Sequence, residues 1–366
     1  MLSHPRTGDS MLQAHSSRHI PEQTAVLLNA NAKQVSPRVR AALSGLVPAE
    51  SLFFSRDHDD AHRIADTVVS RGFDTVFTGG GDGTFVSWVN HILDRAETRS
   101  EPTPRFGVLA LGTGNAVAEM VGAGRPLDDL RRHLSGEVLP GRRLDLVTCE
   151  GRRTPFAGVG IDAAVLNDYN WLRTRLGAKA GRLTSGLRGY GLAIALRSAP
   201  RQVFQRAPVY CEIVNTGAPA WRLDAAGERA GRPIEKGELI YAGPCMLAAG
   251  GTVPYYGYKL RAFPFAGRRA GAMSLRVFTR VPVPALVLNA RRIFSGDFQH
   301  PGLLDFEADQ VEMSFDRPVP FQVGGDAEGH REKITMGIAS RSVELLDYAA
   351  GTRLPAPAAA PALSDA

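Results

Sequence analysis

Residues 79–84 read Gly79-Gly80-Gly81-Asp82-Gly83-Thr84, with an apolar run before them and a helical pattern after them. Residues 75–78 have the character of a buried strand, and apolar residues recur over 85–92 at the spacing of one helix face. Glycines permit positive φ and let amide N–H groups approach an anion, and the start of the helix adds the positive end of its dipole. This stretch therefore predicts a strand, a phosphate-binding turn and a helix.

Asp82 is an unexpected residue in a turn that binds phosphate. Two anions repel each other, so Asp82 should not face a phosphate directly. Its presence favours a bridging Mg²⁺ or a hydrogen bond to a ribose hydroxyl. Glycines alone are equally compatible with an inert turn, and a second loop decides between the two interpretations.

A second glycine turn follows a second apolar run. Residues 106–111 have the pattern of a strand, residues 116–121 have a helical pattern, and between them stand Gly112, Thr113, Gly114 and Asn115. The two strand-to-loop transitions lie about thirty residues apart, which indicates adjacent βα units. Because the carboxyl ends of parallel strands share one edge of the sheet, we expect both turns to reach the same nucleotide.

These turns make the chain resemble the diacylglycerol kinase catalytic-domain family, which includes bacterial lipid kinases and sphingosine and ceramide kinases. The resemblance rests on Gly-Gly-Asp-Gly-Thr at 80–84, Asn90, and Leu-Gly-Thr-Gly-Asn at 111–115. Further matches are Asn29, where the family has Asn-Pro, Ser55, and the segment 158–163. NAD kinases are similar in the first loop and lack the second.

The resemblance implies ATP-dependent phosphoryl transfer to a lipid hydroxyl in a cleft between two domains, with Mg²⁺ carried in by the nucleotide. It places Asn29, Ser55 and both glycine turns at the nucleotide, and Asp82 among the catalytic residues. The family's proposed proton acceptor lies in a Val-Asp-Gly-Glu segment. With the segments aligned on Val323, Gly324 stands at the aspartate position and Asp326 at the glutamate position. Asp326 is therefore the predicted general base, with Glu328 in reserve and a plain hairpin turn as the alternative.

Two departures from the family pattern keep other functions open. Ser87 stands where the family often has Glu, and residues 263–270 lack the carboxylate of the family's structural metal site. We therefore assign no residue as a metal ligand. The alternatives are a NAD kinase-like enzyme and, because of Gly324 and Ser87, a nucleotide-binding regulatory protein without catalysis.

The hydrophobic pattern divides the chain into two parts. Strands alternate with helices over 22–150, which predicts a parallel α/β domain. Short strands dominate 151–340, which predicts a mostly antiparallel β-sandwich. The resemblance implies that the first is a nucleotide-binding domain of the NAD kinase and diacylglycerol kinase type and that the second binds substrate. A strand within 341–354 is expected to return to the first domain. We expect the ends, 1–21 and 355–366, to be disordered.

The charge distribution bears on partners. The chain of 366 residues carries a net charge of +6, and two segments, 171–206 and 259–292, each hold eight basic residues and no acidic one. Neither segment has a nucleic-acid-binding signature, so we expect no nucleic acid. A lipid substrate at an anionic membrane surface and a solvated basic face are the alternatives. The helical segment 167–198 fits either contact with a bilayer or packing on the sandwich, and 259–263 is a predicted strand.

The cysteine content and the lack of long apolar stretches indicate the cellular compartment in which the protein is expected. Cys149, Cys211 and Cys245 are far apart in sequence and have no CxxC or histidine partners, which favours neither a disulfide framework nor a zinc site. No signal-peptide core and no run of eighteen apolar residues is present. We expect a cytoplasmic protein that associates peripherally with the inner face of the membrane, with a homodimer left open.

Overall fold

A computed structural model describes residues 23–30, 32, 34–112, 115–160, 163, 208–256 and 260–350. Two β-sheets organise these residues, one with six strands and mostly parallel pairing, the other with twelve strands paired antiparallel. The predicted fold class, parallel α/β followed by mostly antiparallel β, is confirmed. The predicted helical segment 167–198 and both chain ends, 1–21 and 355–366, lie outside the described residues.

The first sheet has a parallel core. Its order is β2 (Leu52–Ser55), β1 (Thr24–Asn29), β3 (Thr75–Gly80), β4 (Arg105–Ala110), β18 (Val343–Leu346) and β5 (Gly141–Leu144). The strand β18 pairs parallel to β4 and antiparallel to β5, so a segment near the carboxyl end joins this sheet. β1 and β3 are buried along nearly their whole length, as expected for central parallel strands covered on both faces.

Five helices accompany these strands in the described part of the first 150 residues: α1 (Pro37–Ser44), α2 (His58–Ser70), α3 (Asp82–Arg99), α4 (Ala116–Met120) and α5 (Pro126–Leu134). The helix α3 has 18 residues and begins at Asp82, within the first glycine turn, while β3 already includes Gly79 and Gly80. It buries Phe85, Trp88 and Ile92, and each such side chain contributes about 1.5–3 kcal/mol through removal from water. This packing holds the start of α3 at the edge of the sheet.

The second sheet is built from twelve strands that follow the first domain in sequence. They are β6 (Val147–Cys149), β7 (Arg152–Thr154), β8 (Phe156–Gly160), β9 (Val209–Asn215), β10 (Ala220–Leu223), β11 (Arg229–Ile234), β12 (Leu239–Cys245), β13 (Leu247–Gly251), β14 (Met273–Phe278), β15 (Leu303–Ala308), β16 (Gln310–Val323) and β17 (Asp326–Ile338). The sheet forks at β16. The first half of that strand pairs with β9 and its last residues pair with β8, while β17 follows its other edge. Two short helices, α6 (Val283–Leu288) and α7 (Ala290–Ser295), connect β14 to β15.

Two details differ from the sequence-based prediction. The strand predicted at 259–263 is wrong for residues 260–263, which form a loop closed by local hydrogen bonds such as Phe263 N–H to Pro254 O at 3.0 Å. In addition, β16 and β17 are long strands whose pairing shifts register between Ser314 and Val319. The prolines Pro318 and Pro320 lie near this shift, and they lack the N–H that a regular ladder requires.

None of the helices within the described residues combines the length and the apolar character needed to cross a membrane.

Candidate active site

The two glycine turns lie against each other at the carboxyl edge of the parallel sheet. β3 and β4 pair in register as far as Gly80 and Ala110, so both turns begin at the same level. A methyl group built on Gly112 would stand 2.1 Å from Cα of Gly81 and 2.4 Å from its nitrogen. The N–H of Leu111 also donates to the carbonyl of Gly80 at 3.1 Å. Backbone contact this close requires glycine at position 112.

The other glycines of the first turn serve packing and exposure of the helix start. A methyl group on Gly80 would meet the side chain of Thr84 at 2.4 Å, and one on Gly79 would meet Leu28 at 2.2 Å. Gly81 precedes α3 in an extended conformation, and no side chain caps the helix there. The first amides of α3 are therefore available to an anion, and the helix dipole favours negative charge at this end.

Asp82 ties the two turns together. Its Oδ2 accepts the N–H of Ala116 at 2.9 Å and its Oδ1 accepts the N–H of Val117 at 3.2 Å, so it caps α4 from the start of α3. Burial raises the pKa of this carboxyl, and the two amide hydrogen bonds work in the opposite direction. The sequence predicted a cation or a ribose hydroxyl as the partner of Asp82. In the described structure Asp82 accepts hydrogen bonds from these two amides, and the contact with a cation or a ribose hydroxyl stays a prediction.

Asn29 and Ser55 lie on the same edge. They face each other in register at the ends of β1 and β2, and the N–H of Ala30 donates to the carbonyl of Ser55 at 2.9 Å. The side-chain amide of Asn29 donates to Oγ1 of Thr84 at 3.4 Å, which links the end of β1 to the first turn of α3. The ends of β1, β2, β3 and β4 therefore place Asn29, Ser55 and the described residues of both glycine turns at one edge of the sheet.

The second turn is held from both sides. The side-chain amides of Asn115 and Gln34 donate to the carbonyl of Gly112 at 3.0 and 2.9 Å. The Oδ1 atom of Asn115 is buried and has no hydrogen-bond partner among the described residues, which leaves an acceptor beside the turn. Thr113 and Gly114 lie outside the described residues. The sequence analysis missed Gln34, because no local motif distinguishes it from an ordinary loop glutamine.

Asp326 enters the site from the second sheet. It opens β17 directly after a two-residue hairpin formed by Gly324 (φ +59°) and Gly325 (φ +89°), with Val323 paired to Asp326. Two central residues with positive φ are typical of tight hairpins and favour glycine. A methyl group built on Gly83 would lie 3.6 Å from Oδ2 of Asp326. The hairpin therefore sets this carboxylate opposite the amino-terminal end of α3.

Gly324 occupies the position at which the resemblance places an aspartate. The residue is buried, and a methyl group added to it would stand 2.8 Å from Oγ1 of Thr154 and 3.5 Å from a methyl group of Val86. Its positive φ also disfavours side chains. This position is closed to an aspartate in this chain, and the carboxylate near α3 is supplied by Asp326 two residues later.

Arg152 supplies positive charge next to Asp326. Its guanidinium forms an ion pair with Glu328 and lies 4.0 Å from Oδ2 of Asp326, whose side chain is 64% exposed. Partial desolvation by the surrounding protein raises the pKa of Asp326, Arg152 lowers it, and Glu328 raises it further. The sequence analysis did not single out Arg152, since it is one basic residue among many.

The next residue, Arg153, joins the second sheet to α3. Asn90 accepts the N–H of Arg153 at 2.9 Å and donates to its carbonyl at 2.7 Å. The Arg153 guanidinium contacts Asp94 at 2.6 Å and Glu97 at 3.0 Å, both on α3. Because neighbouring residues of a strand point to opposite faces, β7 holds α3 with one arginine and reaches the Asp326 hairpin with the other.

A comparison with known families agrees with this geometry. Residues 24–145, which contain both glycine turns and Asn90, match the family model described as the diacylglycerol kinase catalytic domain. The match is confined to this part of the 366-residue chain, the part that forms the parallel sheet and its glycine turns. An eye-specific diacylglycerol kinase of Drosophila melanogaster is 49% identical to the chain over 49 residues. That match covers 13% of this chain and 3% of the fly protein.

Solved structures from this family share the fold over nearly the whole chain. A candidate diacylglycerol kinase from Bacillus anthracis str. Sterne aligns with a TM-score of 0.63 at 16% identity, covering 92% of this chain and 99% of that one. Another structure, of a diacylglycerol kinase from the same organism, gives a TM-score of 0.57 at 13% identity and covers 90% and 98%. At such low identity these likenesses show a common two-sheet architecture.

Proposed function

We propose that the chain is an ATP-dependent lipid kinase that transfers the γ-phosphate of ATP to a lipid hydroxyl at the edge between the two sheets. One observation carries the proposal: the Asp326 carboxylate lies opposite the start of α3, 3.6 Å from a methyl group built on Gly83. A helix start that attracts phosphate and a carboxylate able to accept a proton thus face the same space.

The nucleotide half of the site consists of the two glycine turns and the adjacent strand ends. In the proposal, the amides of Gly81, Asp82 and Gly83 hold the terminal phosphates, and residues 112–115 hold the other side of the triphosphate. Asn29 and Ser55 contact the nucleotide from β1 and β2. Mg²⁺ would arrive bound to the triphosphate and would neutralise part of its charge. Each Asp82 oxygen accepts one amide N–H, which leaves a second lone pair on each oxygen for contact with Mg²⁺ or the nucleotide.

Asp326 acts on the acceptor. The lipid hydroxyl oxygen forms a bond to the γ-phosphorus, the bond from that phosphorus to the bridging oxygen of ADP breaks, and the hydroxyl proton passes to Asp326. A carboxylate is a weak base for an alcohol, but proton transfer late in a loose transition state needs little basicity. The upward shift of the Asp326 pKa acts in the same favourable direction. Arg152 lies close enough to compensate negative charge near the carboxylate.

The experiment incubates purified protein with γ-labelled ATP, Mg²⁺ and a total lipid extract, and identifies labelled lipids by mass. We expect label in a lipid fraction and a rate at least a hundredfold lower for Asp326→Asn, with ATP affinity unchanged. Glu332→Gln is the matched control, since Glu332 lies exposed on the same strand and should behave as wild type.

Two other outcomes would replace this function. Label in NAD supplied as acceptor, with none in lipid, would assign a NAD kinase-like activity. ATP binding without transfer to any lipid would assign a nucleotide-binding regulatory protein, the alternative that Gly324 favours because it removes the family's aspartate. A cytoplasmic location at the inner membrane face follows from the proposed lipid substrate and is part of the same proposal.

A further inference from the structure

Residues 280–295, which include α6 and α7, form a surface that we call the docking tip. Leu288 is 85% exposed and Phe294 is 42% exposed. The helix α7 buries none of its residues. A six-residue helix that buries no side chain gains little stability from packing, so its apolar side chains contribute little to the stability of the folded protein. Exposed apolar side chains of this kind mark contact surfaces.

Basic residues flank these apolar side chains in sequence. Arg280, Arg291 and Arg292 are exposed, and none of them forms an ion pair among the described residues. The segment 280–295 contains no acidic residue, although Asp297 follows closely.

Other arginines of the basic segment 259–292 are already neutralised. Arg276 forms a buried pair with Asp305 at 2.7 Å, and Arg269 contacts Glu307 at 2.6 Å. Among the described arginines of the segment, the exposed ones without an ion pair are Arg280, Arg291 and Arg292, all within the docking tip.

Contacts lead from the docking tip to the candidate base. The N–H of Arg261 donates to the carbonyl of Phe294 at 3.0 Å. In the same loop, Tyr256 stacks on Phe156 with ring centroids 4.4 Å apart and contacts Gln322. The Oε1 atom of Gln322 accepts the N–H of Gly325, next to Asp326. The docking tip therefore belongs to the half of the molecule that would receive the acceptor.

We propose that the docking tip seats the protein on an anionic lipid bilayer. Leu288 and Phe294 enter the boundary between headgroups and acyl chains, and Arg280, Arg291 and Arg292 lie against lipid phosphates. Charge complementarity selects this partner, because exposed apolar side chains with unpaired arginines next to them in sequence match an apolar layer beneath an anionic one. This inference rests on the proposed function, because a lipid kinase must reach its acceptor lipid in the bilayer.

The test measures binding without nucleotide. The full chain is sedimented with vesicles of phosphatidylcholine alone or with 30% phosphatidylglycerol added, a composition of about 30% anionic lipid being enough to attract basic residues. We expect binding to the anionic vesicles that weakens with salt. Replacing Leu288 and Phe294 together by serine should weaken it at least about tenfold. Arg291→Gln with Arg292→Gln should weaken it about twentyfold, since each arginine near the surface contributes about fivefold.

The matched control replaces two exposed leucines elsewhere. Leu134 is 42% exposed on α5 and Leu239 is 54% exposed on β12, and Leu134→Ser with Leu239→Ser should bind vesicles as wild type does. Thermal unfolding of each variant shows that the fold is kept. The proposal would be overturned if the wild-type protein did not bind anionic vesicles. It would also be overturned if the docking-tip variants bound them as tightly as the wild type does. Loss of a dimer on mutation would overturn it too, and would assign the surface to a second copy.

A second readout separates this inference from the proposed function. Phosphoryl transfer to a short-chain acceptor lipid dissolved as monomers should be unaffected by the docking-tip substitutions, whereas transfer to vesicles should fall. Equal transfer to vesicles by wild type and docking-tip variants would refute docking while leaving the kinase intact. Vesicle binding that depends on the docking tip, with no transfer to any lipid, would refute the kinase and leave docking intact.

Discussion

The side chain of Asn90 on α3 is hydrogen-bonded to both main-chain groups of Arg153 on β7, at 2.9 and 2.7 Å. The two residues lie 63 positions apart in sequence, and these hydrogen bonds hold β7 against α3. The Asn90 amide also donates to the carbonyl of Val86, so the contact is anchored within the helix itself. This contact sets the distance between the glycine turn at one end of α3 and the hairpin that carries Asp326.

Loss of this contact should impair turnover more than nucleotide binding. Asn90→Ala leaves the N–H and carbonyl of Arg153 without their partners, at a cost of about 1–3 kcal/mol in free energy of unfolding. We expect kcat to fall about tenfold while the KM for ATP changes less than about threefold, because the glycine turns remain intact. Urea unfolding and steady-state kinetics measure both quantities.

The control for Asn90→Ala is Arg99→Ala, which removes an exposed contact between α3 and Asp66. Exposed ion pairs contribute about 0–1 kcal/mol, so both stability and kcat should stay near wild type. Equal kinetic effects of the two substitutions would contradict a specific positioning role for Asn90.

Gly112→Ala tests the contact between the two glycine turns. The added methyl group would stand 2.1 Å from Cα of Gly81, so the turns must separate. We expect ATP affinity to fall at least about tenfold, measured by calorimetry, since phosphate contacts depend on amide positions fixed to fractions of an ångström. Gly45→Ala, where the methyl group meets its nearest neighbour at an ordinary 3.5 Å, should leave affinity unchanged. Unchanged affinity for Gly112→Ala would rule out a shared phosphate site.

Restoring the family's aspartate should not restore a family-like site. Gly324→Asp forces a side chain into a left-handed conformation, at about 1–2 kcal/mol, and against Thr154. We expect a lower stability, measured by thermal unfolding, and no gain in the phosphoryl-transfer rate, measured with labelled ATP. Gly325→Asn is the comparison, because its φ is also positive while no atom lies within 4 Å of the new methyl position. A faster enzyme with Gly324→Asp would show that the aspartate position is open after all.

The pH dependence of kcat should report on Asp326. A general base must be unprotonated, so the rate should rise with pH through the Asp326 pKa and then level off. Arg152 lowers that pKa, so Arg152→Gln should raise it and move the acidic limb of the profile to higher pH. Arg317→Gln, which removes an exposed pair with Asp316, should leave the profile in place. A profile that does not move with Arg152→Gln would separate Asp326 from the titrating group.

The local sequence pattern was sufficient to predict the strands and the position of the glycine turns in the half of the molecule that would bind the nucleotide. Apolar runs that end in glycines identify strand ends, and helices between such runs require parallel pairing and one common edge. This pattern predicts that Gly81, Gly112 and Asn29 lie at the same edge of the sheet, and the structure brings them together there. The strand predicted at 259–263 is wrong for 260–263, because a short mixture of apolar and basic residues next to a proline has no local signal that separates a loop from an edge strand.

Tertiary structure decided which side chains meet across the two sheets. Arg152 and Glu328 lie 176 positions apart, and the pairing of β6 with both β7 and β17 brings them together beside Asp326. Alignment alone could not show that Gly324 has a positive φ and faces Thr154. The sequence likewise displayed a run of basic residues, but pairing with Asp305 and Glu307 decided which arginines are neutralised. Hydrophobic periodicity reports the contacts of a residue with its own helix or strand, whereas the partners of a charge depend on pairing between distant strands.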